Sequence, residues 1–77
     1  MLFSLIDPFE GCQYYSEYLS RMIRWAENLG ATRFQLLDNN RFVCHVQKCD
    51  GGEWRTSDQA FQNCPAMKRV EPQKGGV

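Results

Sequence analysis

Apolar and polar positions change their spacing twice along this chain, and each change marks a new element. The opening MLFSLI is an unbroken apolar run, which reads as a buried strand or a segment packed on the core. DPFE follows. Asp7 is placed to cap a helix, Pro8 suits a first helical position, and Glu10 comes three residues after the cap. Gly11 interrupts, so the expectation is either one turn and a break or a continuous helix with a soft start. Through CQYYSEYLSRMIRWAENLG the spacing is helical: Tyr15, Tyr18, Leu19, Met22, Ala26 and Leu29 recur at intervals of three and four, with Trp25 beside them. Glu17, Ser20, Arg21, Arg24, Glu27 and Asn28 fall on the other side. The pattern predicts an amphipathic helix, flanked by Tyr14 and Ile23 and closed by Gly30 just past its last turn.

Beyond Gly30 the period drops to two. Phe34 and Leu36 alternate with Arg33 and Gln35; Phe42, Cys44 and Val46 alternate with Arg41, Val43, His45 and Gln47. DNN and DGG are turn clusters, so the segment predicts a three-stranded antiparallel meander. Loop length sets the register. A three-residue loop at Asp38–Asn40 pairs Leu36 with Phe42 and Phe34 with Cys44, which is preferred because a two-residue loop turns Gln35 toward the core opposite Cys44. A three-residue loop at Asp50–Gly52 likewise places Trp54 on the apolar face, where its burial contributes most. TSDQAFQNCP predicts a short helix capped by Thr56 or Ser57 and ended by Pro65, AMKRV offers a short edge strand, and residues 71–77 form a flexible tail. The expected order is β-α-β-β-β-α: one α+β domain over residues 1–70, with the helix packed on a three- to four-stranded antiparallel sheet.

Composition narrows the function. At 77 residues there is room for one domain, and 43% hydrophobic content favours a packed core over disorder. Nine basic and nine acidic residues cancel, which argues against a general polyanion binder. The N-terminal run lacks a basic flank and stops at Asp7, unlike a signal peptide, and no apolar run is long enough to span a membrane. A cytoplasmic protein with reduced cysteines is expected.

The stretch FVCHVQKCDGGEW concentrates two cysteines and the chain's one histidine. Cys44 and His45 are adjacent on an expected strand, so their side chains point to opposite faces and do not share an ion. No second close pair accompanies Cys44 and Cys49, although a small zinc-stabilised domain using Cys44 or Cys49 with Cys12 and Cys64 stands as an alternative. The same geometry denies Cys44 a base, and no hydrolase, zincin or nucleotide-binding motif occurs, so no catalytic residues are expected. Cys49 and Cys64 flank the third strand and the short helix, but a cytosolic chain does not call for the disulfide.

One surface remains. The outward face of the expected sheet carries Arg33, Gln35, Leu37, Arg41, Val43, His45, Gln47, Glu53, Arg55 and Ser57. It is a basic face on a neutral chain, built with arginine rather than lysine, and arginine suits bidentate contacts and interface anchors. With Phe34, Phe42 and Trp54 assigned to the core, this face has no aromatic for stacking on bases. The expected partner is therefore a larger protein or nucleoprotein complex with an acidic surface, contacted by Arg33, Gln35, Arg41, Val43, His45, Gln47 and Arg55. A nucleic-acid-binding module on the same face is the second expectation. Tyr14, Ile23 and an unpaired edge strand each offer a route to a homodimer.

The order α-β-β-β-α resembles the double-stranded-RNA-binding domain in topology alone; the last helix is too short and no basic run opens it. The general profile is similar to that of small phage-encoded inhibitors such as anti-CRISPR proteins, with one compact domain, no catalytic set and one charged surface. That resemblance implies direct binding to a larger complex that stops it from working.

Overall fold

The computed structural model describes residues 1–72. Five strands form one antiparallel sheet: β1 (Leu2–Ile6), β2 (Gln13–Ser16), β3 (Arg33–Asp38), β4 (Arg41–Lys48) and β5 (Trp54–Thr56), in the order β2-β1-β3-β4-β5. Helix α1 (Leu19–Leu29) lies across β1 and β2, and the short helix α2 (Pro65–Lys68) packs beside it. This is a two-layer α+β domain with helices on one face of the sheet and the other face open.

The inner face follows the alternation of the sequence. Phe3 and Leu5 from β1, Phe34 and Leu36 from β3, and Cys44 and Val46 from β4 are buried with Met22 and Ala26 of α1 and Ala66 of α2. Phe3 and Phe34 meet edge to face with ring centroids 5.7 Å apart. Gly30 ends α1 at φ 72°, a left-handed position where glycine avoids the Cβ penalty. Trp54 packs on Phe34 at 5.2 Å, on the inner side as its loop length predicts. That loop is three residues: the Cys49 N–H donates to the Glu53 carbonyl, and Gly52 supplies the left-handed residue at φ 83°.

Four local expectations are corrected. The first concerns the start of the helix. Asp7 does not cap a helix: its Oδ1 accepts the Phe9 N–H at 2.8 Å, and its carbonyl accepts the Gly11 N–H, making a tight turn. Gly11, at φ 74°, then releases the chain into β2. Residues 13–16 are therefore a strand, because the apolar run of β1 needs a partner for its second edge and β2 supplies it. The Ser16 hydroxyl accepts the Tyr18 N–H at 3.0 Å, and the helix starts only at Leu19.

The second correction is the turn between β3 and β4. It has two residues, Asn39 and Asn40, at φ 51° and 64°. Such a turn alone would pair Gln35 with Cys44. A bulge between Leu36 and Leu37 absorbs one residue of β4, so Leu36 faces Cys44 and Phe34 faces Val46, while Leu37 faces Phe42. The third and fourth lie near the C-terminus. Residues 59–61 form one 3-10 turn whose Ala60 N–H is held by Asp58, not by Thr56 or Ser57. Pro65 opens α2 instead of ending a helix, so AMKRV is not an edge strand. Of the expected tail, Glu71 is held by Arg21, Arg24 and Ser20 of α1, and residues 73–77 lie outside the described residues.

Candidate functional site on the open sheet face

The open face follows from the register. In β1 the side chains alternate, with Phe3 and Leu5 inward and Leu2, Ser4 and Ile6 outward. Pairing then lays Tyr15, Ser4, Gln35 and His45 side by side across four strands, from the partners Ser4–Tyr15, Ser4–Gln35 and Gln35–His45. A second row runs Arg33, Gln47, Arg55. A third holds Leu2, Leu37 and Phe42.

Two aromatics absent from the expected face are therefore on it. Tyr15 is outward because residues 13–16 are a strand, and Phe42 is outward because the bulge shifts it by one position. Tyr15 is 49% exposed, Phe42 54% and Ile6 54%. Phe42 meets the His45 ring edge-on at 4.9 Å. Val43 is the residue absorbed at the bulge, half-buried and packed against the core cluster.

The arginines differ from one another. Arg55 is bound at 2.6 Å by Glu53, which stands two residues before it on the chain. Arg41 lies opposite Asp38 at the tip of the β3–β4 hairpin. Among the described residues Arg33 and Arg41 form no ion pair. The expected set of Arg33, Gln35, His45, Gln47 and Arg55 is thus brought together on one face, but Arg41 and Val43 are not part of it: with Leu37 and Phe42 outward, the next pair Asp38–Arg41 falls on the opposite side, and Val43 packs against the core.

Between the rows is a depression of about 150 Å³ lined by Ser4, Ile6, Arg33, Phe34, Gln35 and His45. It exists because Ser4 is the shortest side chain in its row, standing between Tyr15 and Gln35. Ser4 is 1% exposed, and its Oγ accepts from Gln13 Nε2 at 2.8 Å. The depression is about half the size of the smallest pockets that enclose a drug-sized ligand, roughly 300 Å³. It fits one functional group of a larger partner.

The sequence held signals for the residues it did not yield. Ser4 is the only polar residue inside MLFSLI, and the pair Asn39–Asn40 is well suited to a two-residue turn with positive φ. Ile6 was hidden because an unbroken apolar run does not say which of its residues face out.

The cysteines do not converge. Among the described residues no three His, Cys, Asp or Glu side chains come together as a metal site, so the zinc alternative is not carried further. All four cysteines are free thiols. Burial pushes the Cys44 thiol above its ordinary value, the reverse of what a nucleophile needs. Among the described residues no helix is long and apolar enough to cross a membrane. Comparison with protein-family models, with curated proteins and with solved structures finds no match.

Proposed function

We propose that the protein is a non-catalytic protein-binding domain, a small inhibitor or adaptor that docks the open face of its sheet on a larger complex. The observation that supports this reading most is the composition of that face. Ile6, Tyr15 and Phe42 are about half exposed there, with Ile6 beside Arg33 and Phe42 beside Leu37 at the other end of β3. Apolar and aromatic area with an embedded arginine is what interface centres are made of. The small depression argues in the same direction, since it suits a side chain better than a substrate. Small phage-encoded inhibitors such as anti-CRISPR proteins act through such contacts, and a cytoplasmic target fits the reduced cysteines.

The test uses the intact protein as bait in lysate of its source cells, with Tyr15→Ala/Phe42→Ala and the helix-side variant Asn28→Ala compared by quantitative mass spectrometry. A partner retained by the wild type and Asn28→Ala but lost with the double variant is the expected result. Equal retention by all three sinks the reading.

A second reading has its own observation. Exposed Tyr15 and Phe42 on an antiparallel sheet face that also carries Arg33 are the elements with which sheets stack single-stranded bases. Fluorescence anisotropy with labelled single-stranded oligonucleotides tests it. Binding that weakens steeply with salt supports a nucleic-acid module; no binding at low salt removes it.

A further inference from the structure

Each polar side chain lining the depression over Ser4 can present a hydrogen-bond donor. Arg33 brings a guanidinium with no ion-pair partner among the described residues. Gln35 and His45, cross-strand neighbours, each bring an N–H donor. Ser4 at the floor uses its oxygen as acceptor for Gln13, which leaves its hydroxyl hydrogen to donate. No acidic side chain lines the depression. An acceptor-only group entering here would meet donors on every polar wall.

Resting on the protein-binding reading above, we propose that this depression is a carboxylate subsite, which receives one Asp or Glu side chain of the protein partner. The volume of about 150 Å³ admits a carboxylate and its methylene stem and no large group. Arg33 supplies the bidentate geometry that a carboxylate prefers. Ile6 on its wall and Tyr15 beside its floor give apolar contact to the residues flanking the acid. The occupant is a single acidic protein side chain rather than a polynucleotide because, among the described residues, Glu53 already holds Arg55 and leaves Arg33 as the unpaired arginine of this face. A phosphate backbone tracking across the sheet needs several free cations in line.

The experiment is a titration of the nitrogen-15-labelled full chain, followed by two-dimensional NMR. The probes are a blocked peptide with one glutamate between two leucines, its glutamine counterpart, sodium acetate and inorganic phosphate. The glutamate peptide is expected to move the amide signals of Ser4, Arg33, Gln35 and His45 and to bind about tenfold tighter than the glutamine peptide. Arg33→Gln, an exposed change that leaves the fold in place, is expected to erase that difference; His45→Asn is expected to reduce it. Equal binding of the two peptides at the open face overturns the carboxylate subsite while sparing the docking face. No shift on that face with any probe overturns the carboxylate subsite, while the docking face stands or falls with the capture experiment above. Phosphate moving the same signals more strongly than acetate overturns the assignment in favour of a nucleic acid. Shifts that depend on protein concentration with no probe present overturn it in favour of a second copy of the chain.

Discussion

The two faces of this sheet use nearly the same residue types to opposite ends. Inside, Phe3, Leu5, Phe34, Leu36, Cys44 and Val46 are at most 3% exposed and fill the space under α1 and α2. Outside, Leu2, Ile6, Tyr15, Leu37 and Phe42 occupy outward positions of the same sheet, and Ile6, Tyr15 and Phe42 stay about half exposed. An antiparallel sheet with one solvated face ordinarily keeps that face polar. Here the inner face accounts for stability, and the outer face holds apolar area that contributes little to folding. The contrast separates the residues that make the domain from those available for docking.

The comparison breaks most visibly at the centre of the inner face. Phe34→Ala removes a ring that packs against both Phe3 and Trp54. The expected cost is about 3–5 kcal/mol, seen as a fall in Tm of roughly 15 °C or more, or as failure to fold. Its outward counterpart behaves differently. Phe42→Ala is expected to change stability by less than about 1 kcal/mol in urea denaturation, because half of the ring is already in water. A loss like that of Phe34→Ala would mean that the two faces share one role.

A smaller effect sharpens the register that brings Phe42 outward. Asn40, at φ 64°, sits in a backbone region that favours asparagine and glycine. Asn40→Ala is expected to cost about 1 kcal/mol, and Asn40→Gly to be neutral or stabilising. Equal effects from both would rule out the two-residue turn. The smallest effect concerns Glu71, which ties the chain after α2 back to α1. Hydrogen bonds from Arg21 hold its carboxyl below the ordinary value. A depressed folded-state value stabilises above the unfolded-state value, and the contribution fades as pH falls through the folded one. Glu71→Gln should therefore lower stability slightly at neutral pH and converge with the wild type in acid. A constant difference across that range would contradict the contact.

Much of the inner face was legible in the sequence, because Met22 and Ala26 follow a clean helical period and Phe34, Leu36, Cys44 and Val46 a clean alternation. Gly30 and the Asp50–Gly52 loop were legible from turn chemistry alone. The outer face was harder to read for a physical reason: one residue of slip exchanges the faces. Tyr15, Tyr18 and Leu19 satisfy helical spacing, and only pairing with the distant β1 makes residues 13–16 a strand. The bulge that turns Phe42 outward leaves no periodic signal. The expected arginine face survives at Arg33, whereas Arg55 is engaged by Glu53, a neighbour visible at a spacing of two on the same side of a strand.

The central claim is that the open face docks on a protein. Its most direct test is photo-crosslinking in source cells, with p-benzoylphenylalanine placed at Phe42 on the open face or at Asn28 on the exposed side of α1. The account predicts a discrete protein adduct from position 42 and none from position 28. Adducts from position 28 alone, or a nucleic-acid adduct from position 42, would contradict it.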